Sequence, residues 1–160
     1  MTSENPTLKS IRRKLFVLGL LKIPMLGFVW PKLLKLDENQ SAVKIKLRRR
    51  TKNHLESMYI GALVVGADIA AGIHVFYFAG ILKKKVSFVF KGMNCDFIKR
   101  AESDVVFECS EGEKLKNMIL KSDENHERIN NSINIRAVDS KGDEVATFSM
   151  IVSVKVIPED

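Results

Sequence analysis

The stretch Met58–Leu82, MYIGALVVGADIAAGIHVFYFAGIL, decides the fold. Its 25 residues are almost wholly apolar or small, with one acid, Asp68, near the middle. An ionised carboxylate in apolar surroundings is costly unless it is paired, solvated at a cavity or put to use. The segment is long enough to span a bilayer, with RRRTK before it and KKK after it. It is therefore either a membrane helix or a helix wrapped on nearly all sides by protein. An acid at the bilayer centre costs roughly 2.5–3.5 kcal/mol, which so apolar a stretch tolerates, so hydropathy does not choose.

The residues downstream choose. From 86 to 157 the chain reads as alternating strands with one apolar face. In the last strand Ala146, Phe148, Met150, Val152, Val154 and Val156 share a face, against Thr147, Ser149, Ser153 and Lys155, though also Val145 and Ile151, on the other. Such a sheet needs an apolar partner, and the helix supplies one. Its small residues, among them Gly61, Gly66, Ala70 and Gly72, let other chain segments approach closely. The wrapped helix is the favoured reading.

Outward from the helix, Val43, Ile45 and Leu47 alternate with Lys44, Lys46 and Arg48, a strand with a basic outer face after a turn at DENQ, 37–40. Ser57 stands where a helix cap is expected. After Lys85, Val86, Phe88 and Phe90 share a strand face, with a turn expected at Gly92 and strands near 95–101 and 104–110. SEGEKLKNMILKS, 110–122, suits either a short helix or an excursion between strands. A hairpin closes the domain, from about Glu127 to Val138, through SKGD, and back from about Glu144 to Ile157. Residues 1–36 read as a basic, apolar leader broken into short helices at Pro24 and Pro31, packed on a single domain that spans 37–160. Its Leu8, Ile11, Leu15 and Leu18 recur at helical spacing, which suits a core-facing helix and, as the sharper alternative, a membrane-surface helix. Glu4 argues against a processed presequence.

Lys and Arg number 26 against 19 acids, a net charge of +7 and a pI near 9.5. Such a chain suits polyanions: nucleic acid, acidic lipid or a phosphate-rich group such as coenzyme A. The basic residues lack an aromatic-studded strand face, so nucleic acid is not expected as a partner. Cys95 and Cys109 sit apart in strand-like segments without a CxxC pair, so a reduced, cytoplasmic chain is expected. The spacing of His54, His74 and His126 is not a metal-ligand pattern, and no metal is expected.

The α+β order, a strand, one buried helix and then about five antiparallel strands, resembles the hotdog fold. A local motif resembles the hotdog thioesterases of the phenylacetyl-CoA type. These carry an Asn, six residues later His-Gly-Gly at the helix start, and an acid nine residues after the His. Here Asn53 stands six residues before Tyr59, Tyr59-Ile60-Gly61 occupies the His-Gly-Gly positions, and Asp68 lies nine after Tyr59. Tyr59 and Ile60 depart from the pattern. NHLESMYIGAL, 53–63, resembles a poorly characterised thioesterase-like branch. The resemblance implies a sheet of about six strands around one long helix, a homodimer that can pair into a tetramer, and acyl-CoA as substrate. No other cofactor is implied.

The chemistry also follows from the residues. Thioester hydrolysis needs a carbonyl polariser and a base or nucleophile. The Ile60 and Gly61 amides lie near a helix N-terminus, whose free N–H groups and dipole suit an oxyanion. Asp68 suits activation of a water or direct attack, and Asn53 suits positioning of the water or the acyl carbonyl. Tyr59, His54, Ser57 and Met58 are the expected substrate-binding residues. Gly61 and Asp68 stand roughly 10 Å apart along a helix, too far to meet one thioester from the same chain. A dimer that takes the amides from one subunit and the acid from the other resolves the geometry. His74, on a different helix face, reads as a satisfied core histidine. The expected function is acyl-CoA hydrolysis; the alternative is a non-catalytic module that binds acyl chains or a protein partner. From charge alone, Lys83, Lys84, Lys99 and Arg100 are candidates to meet coenzyme A.

Overall fold

In a computed structural model, residues 8–158 are described; Glu4 and the first residues of the leader lie outside that range. Two helices open the chain, α1 (Leu8–Leu21) and α2 (Pro24–Val29). Strands β1 (Lys32–Leu36) and β2 (Ser41–Ile45) follow, then the long helix α3 (Ile60–Leu82). The remainder is β3 (Lys85–Phe97), β4 (Val105–Cys109), α4 (Gly112–Asn125), β5 (Ile129–Val138) and β6 (Glu144–Ile157). The six strands form one antiparallel sheet in the order β1-β2-β4-β5-β6-β3. The sheet curves around α3, which is the hotdog architecture.

α3 is long and apolar enough to cross a membrane, yet most of it is buried inside the domain. It starts at Tyr59 in extended backbone and stops at Lys83, whose left-handed φ of 52° turns the chain into β3 while its N–H donates to the Ala79 carbonyl. Gly66 lets the Phe107 ring of β4 lie directly against the helix. A Cβ there would stand 2.2 Å from Phe107 Cε2. Val43, Ile45, Phe107, Ile133, Ile135 and Val152 complete the core from the sheet side.

Several expectations change. Residues 32–36 are not helix but the edge strand β1, paired with β2 through the Asp37–Gln40 turn. Pro31 ends the helical run, and the apolar side chains Leu33 and Leu36 then find the core. Gly92 is not a turn. It sits at a bulge between Phe90 and Gly92 in one continuous strand that pairs with β6 from Lys85↔Ile157 to Phe97↔Ala146. The chain after the helix thus holds four strands rather than five. Segment 110–122 is helical, because Leu115, Met118, Ile119 and Ser122 bury one face of α4. The hairpin β5–β6 stands as expected, with Gly142 at φ +86° in its turn.

Candidate functional site

The loop before α3 is built around Asn53. Its side-chain Oδ1 accepts the Leu55 N–H at 2.9 Å, the Ser57 N–H at 3.2 Å and the Ser57 hydroxyl at 3.2 Å. Asn53 therefore braces the loop, and only its Nδ2 is without a partner among the described residues. Ser57 is buried and spends its hydroxyl on Asn53, so it does not cap the helix. The N-cap is Tyr59, which makes no side-chain capping bond. Met58 is buried, and its N–H donates to the Ala101 carbonyl at 2.8 Å. The Tyr59 N–H donates to the Thr51 carbonyl at 2.8 Å. These bonds fix where the helix begins.

At that beginning the Ala62 and Leu63 amides both reach the Tyr59 carbonyl. The Ile60 and Gly61 amides have no such partner among the described residues, as the first turn of a helix requires. The Tyr59 ring lies over Gly61, with Cε1 2.7 Å from where a Cβ would stand. Tyr59 is 54% exposed, so it is a wall and not core.

An open groove of about 650 Å³ runs past the helix start. Asn53, His54, Ser57, Met58, Tyr59 and Ile60 line it, and Gly61 does not. Leu63, Phe97, Lys99, Arg100 and Ala101 complete it. Of these, Leu63, Phe97 and Ala101 were not singled out in the sequence. Phe97 carried a signal as the last apolar residue of its strand, whereas Ala101 enters only through its hydrogen bond to Met58. The groove floor is apolar and its rim is basic. Lys99 is tied to Asp143 and Asp139, and the Asp143 hydrogen bond holds its ammonium above the ordinary lysine range. Lys83 and Lys84 stand at the far end of α3, and Lys84 pairs with Asp123.

Asp68 is not in this groove. It lies two turns along α3, on a strip of half-covered residues with Gly61, Val64 and Val65. Its carboxylate has no hydrogen-bond or ion-pair partner among the described residues, and burial pushes its pKa above the usual carboxylate range. Asn53, with its Oδ1 committed to the loop, does not bond it. A single chain thus presents free amides at one place and a desolvated, unpartnered acid at another. His74 is the opposite case. It is fully buried, contacts the Asp37 carbonyl through Nε2 at 3.1 Å and stacks on Phe78. Its Nδ1 is buried without a partner, so the ring is only half satisfied, and burial lowers its pKa. Among the described residues no group of three His, Cys, Asp or Glu side chains could hold a metal ion.

A family profile described as a domain of unknown function (DUF4442) matches residues 12–154. The chain belongs to this family. No curated protein matches it significantly. Solved structures similar to this DUF4442 chain include a protein of unknown function from Chlorobaculum tepidum TLS. That likeness has a TM-score of 0.81 and 14% identity over 94% of this chain and 98% of that one. A thioesterase from Haemophilus influenzae is similar with a TM-score of 0.67 and 13% identity, over 98% and 96% of the two chains. Thioesterase superfamily member 2 of the zebra fish is similar with a TM-score of 0.67 and 13% identity, over 95% and 99%. At these identities the likeness establishes that the DUF4442 chain shares the hotdog fold.

Proposed function

We propose that this protein is an acyl-CoA thioesterase that works as a homodimer, with Asp68 of one subunit facing the helix start of the other. The observation that carries the reading is the Asp68 carboxylate, desolvated and without a partner among the described residues, on a half-covered strip of α3. The edge strand β3 supports the dimer. It is 13 residues long, pairs on one side only, and exposes Val89, Met93 and Phe97. A long apolar edge of this kind invites pairing with a second copy across a two-fold axis.

In the proposed reaction the Ile60 and Gly61 amides hold the thioester oxygen as it gains negative charge. Asp68 takes a proton from a water, the water oxygen bonds to the carbonyl carbon, and the carbon–sulfur bond breaks. The thiolate of coenzyme A recovers the proton, and a free acid leaves. The apolar floor of the groove, Met58, Leu63 and Phe97, suits a fatty acyl group, and Arg100 on the rim, without an ion pair among the described residues, suits a phosphate. His54 is exposed at the groove and reads as a rim contact rather than a base.

A second reading, a module that binds acyl chains or a partner without turnover, is favoured by the Tyr59 ring. It covers Gly61, where the resemblance implies an open histidine-glycine turn. Release of free thiol from a panel of acyl-CoAs separates the two. Wild-type protein is expected to hydrolyse a fatty acyl-CoA, and Asp68→Asn to lose at least ~100-fold in rate while folding and sedimenting as wild type. Acyl-CoA binding without thiol release would establish the module instead.

A further inference from the structure

The hairpin of α1 and α2 carries apolar surface that the domain does not cover. α1 buries Ile11, Leu15 and Gly19, and its opposite face ends in Phe16, Val17, Leu20 and Leu21, the last two 65% and 73% exposed. Phe28 and Trp30 continue the patch from α2, each 53% exposed. Phe16 meets Trp30 edge to face at 5.7 Å, so the two helices form one surface, and a cavity of about 430 Å³ opens between them. Contiguous exposed apolar surface of this kind marks an interaction site.

The charge around the patch says with what. Residues 5–36 contain no Asp or Glu. Lys9, Arg13, Lys14, Lys22 and Lys32 are exposed around it and form no ion pair among the described residues. The first acids to follow in the chain, Asp37 and Glu38, pair with Lys35 and Lys116 instead. A surface with an apolar centre, a tryptophan and an unneutralised basic border matches the interface of an anionic bilayer, which offers acyl chains and negative headgroups together.

Position in the fold agrees. The hairpin packs beside β1, at the opposite edge of the sheet from β3. Self-association through β3 leaves it free. Arg50 joins it to the site loop: its guanidinium stands 5.5 Å over the Phe28 ring and donates to the Phe28 carbonyl, three residues before Asn53. We infer that the α1–α2 hairpin docks this protein on anionic membrane surfaces, with Phe16, Leu20, Leu21 and Phe28 entering the headgroup region and the surrounding lysines and arginines meeting lipid phosphates. The inference stands independently of thioester hydrolysis.

Co-sedimentation with large vesicles tests it, using phosphatidylcholine alone or mixed with an equal amount of phosphatidylglycerol. Full-length protein is expected to pellet with the mixed vesicles, to be released by high salt, and to stay largely in solution with phosphatidylcholine. Leu20→Glu/Phe28→Glu, at two exposed positions, is expected to abolish pelleting with circular dichroism unchanged. Arg13→Ala and Lys14→Ala are each expected to weaken binding about fivefold. The inference is overturned if wild-type protein fails to pellet with anionic vesicles, if it binds both compositions equally, or if the folded double variant binds as wild type. It is also overturned if the double variant merely abolishes concentration-dependent self-association seen without vesicles, since the patch would then be an interface between copies.

Discussion

Helix α3 carries an acid and a histidine six residues apart, and the domain treats them in opposite ways. His74 faces the closed side, where the Asp37 carbonyl, the Phe78 ring and the start of α4 surround it. Asp68 faces the open strip and has none of these. Both are desolvated, and desolvation pushes each toward its neutral form, the acid upward and the imidazole downward. Burial of an ionisable group therefore does not by itself mark function. What separates the two is whether the chain supplies neighbours, and only the open strip leaves room for a substrate or a second subunit.

Substitutions on the two sides can break or sharpen this contrast. The largest effect is expected on the open side. Gly61→Pro removes one amide donor in the first helical turn and displaces the Tyr59 ring, so turnover should fall by roughly 10²–10³, whereas Gly61→Ala, which displaces the ring and keeps the amide, should lose far less. Equal turnover in a folded Gly61→Pro protein would remove the oxyanion role. On the closed side the order reverses. Gly66→Ala forces a methyl into the Phe107 ring and should cost about 1–3 kcal/mol in urea unfolding, with a smaller loss of turnover per folded molecule than Gly61→Pro. Ser41→Ala deletes the buried hydrogen bond from the Ser41 hydroxyl to the Ala70 carbonyl, 2.8 Å long, and should cost about 1 kcal/mol in the same assay.

Dependence on pH gives the finest discrimination, because the two shifts have opposite signs. His74 has a pKa below 6.5 in the folded chain, so the folded state binds fewer protons. Its contribution is complete above 6.5 and is lost as the pH falls through the lowered value. Asp68 has a pKa above 3.8, so the folded state keeps its proton longer. Its penalty is absent below 3.8 and complete above the raised value. Denaturation of His74→Gln should show a shallower loss of stability on acidification below 6.5 than wild type. Asp68→Asn should be more stable than wild type at neutral pH, with the gain fading toward 3.8. A destabilised Asp68→Asn would mean that the carboxylate is structural.

The central helix and the closing hairpin were legible because each rests on a local pattern: an unbroken apolar run, and alternation on both sides of SKGD. The groove residues from Asn53 to Ile60 were legible as a group because they are neighbours in the chain. β1 was hidden because Leu33 and Leu34 stand side by side, and KLLKL shows strand alternation only once β2 lies beside it. The bulge near Gly92 was hidden because a glycine between apolar strand residues signals a turn equally well, and only the pairing with β6 decides. The role of Asn53 in the loop depended on where Ser57 turns back, which spacing does not disclose.

The Phe107 ring seated at Gly66 works as a detent. It sits half a turn from Asp68 on α3 and fixes both the rotation and the axial setting of the helix from the sheet side. The aim of the acid is thus set by a residue that never meets solvent, with Phe107 fully buried. Tyr59 and Ile60, which line the groove, stand at the helix start instead, outside this notch. What the groove meets and how the acid is aimed are therefore governed at different places along α3.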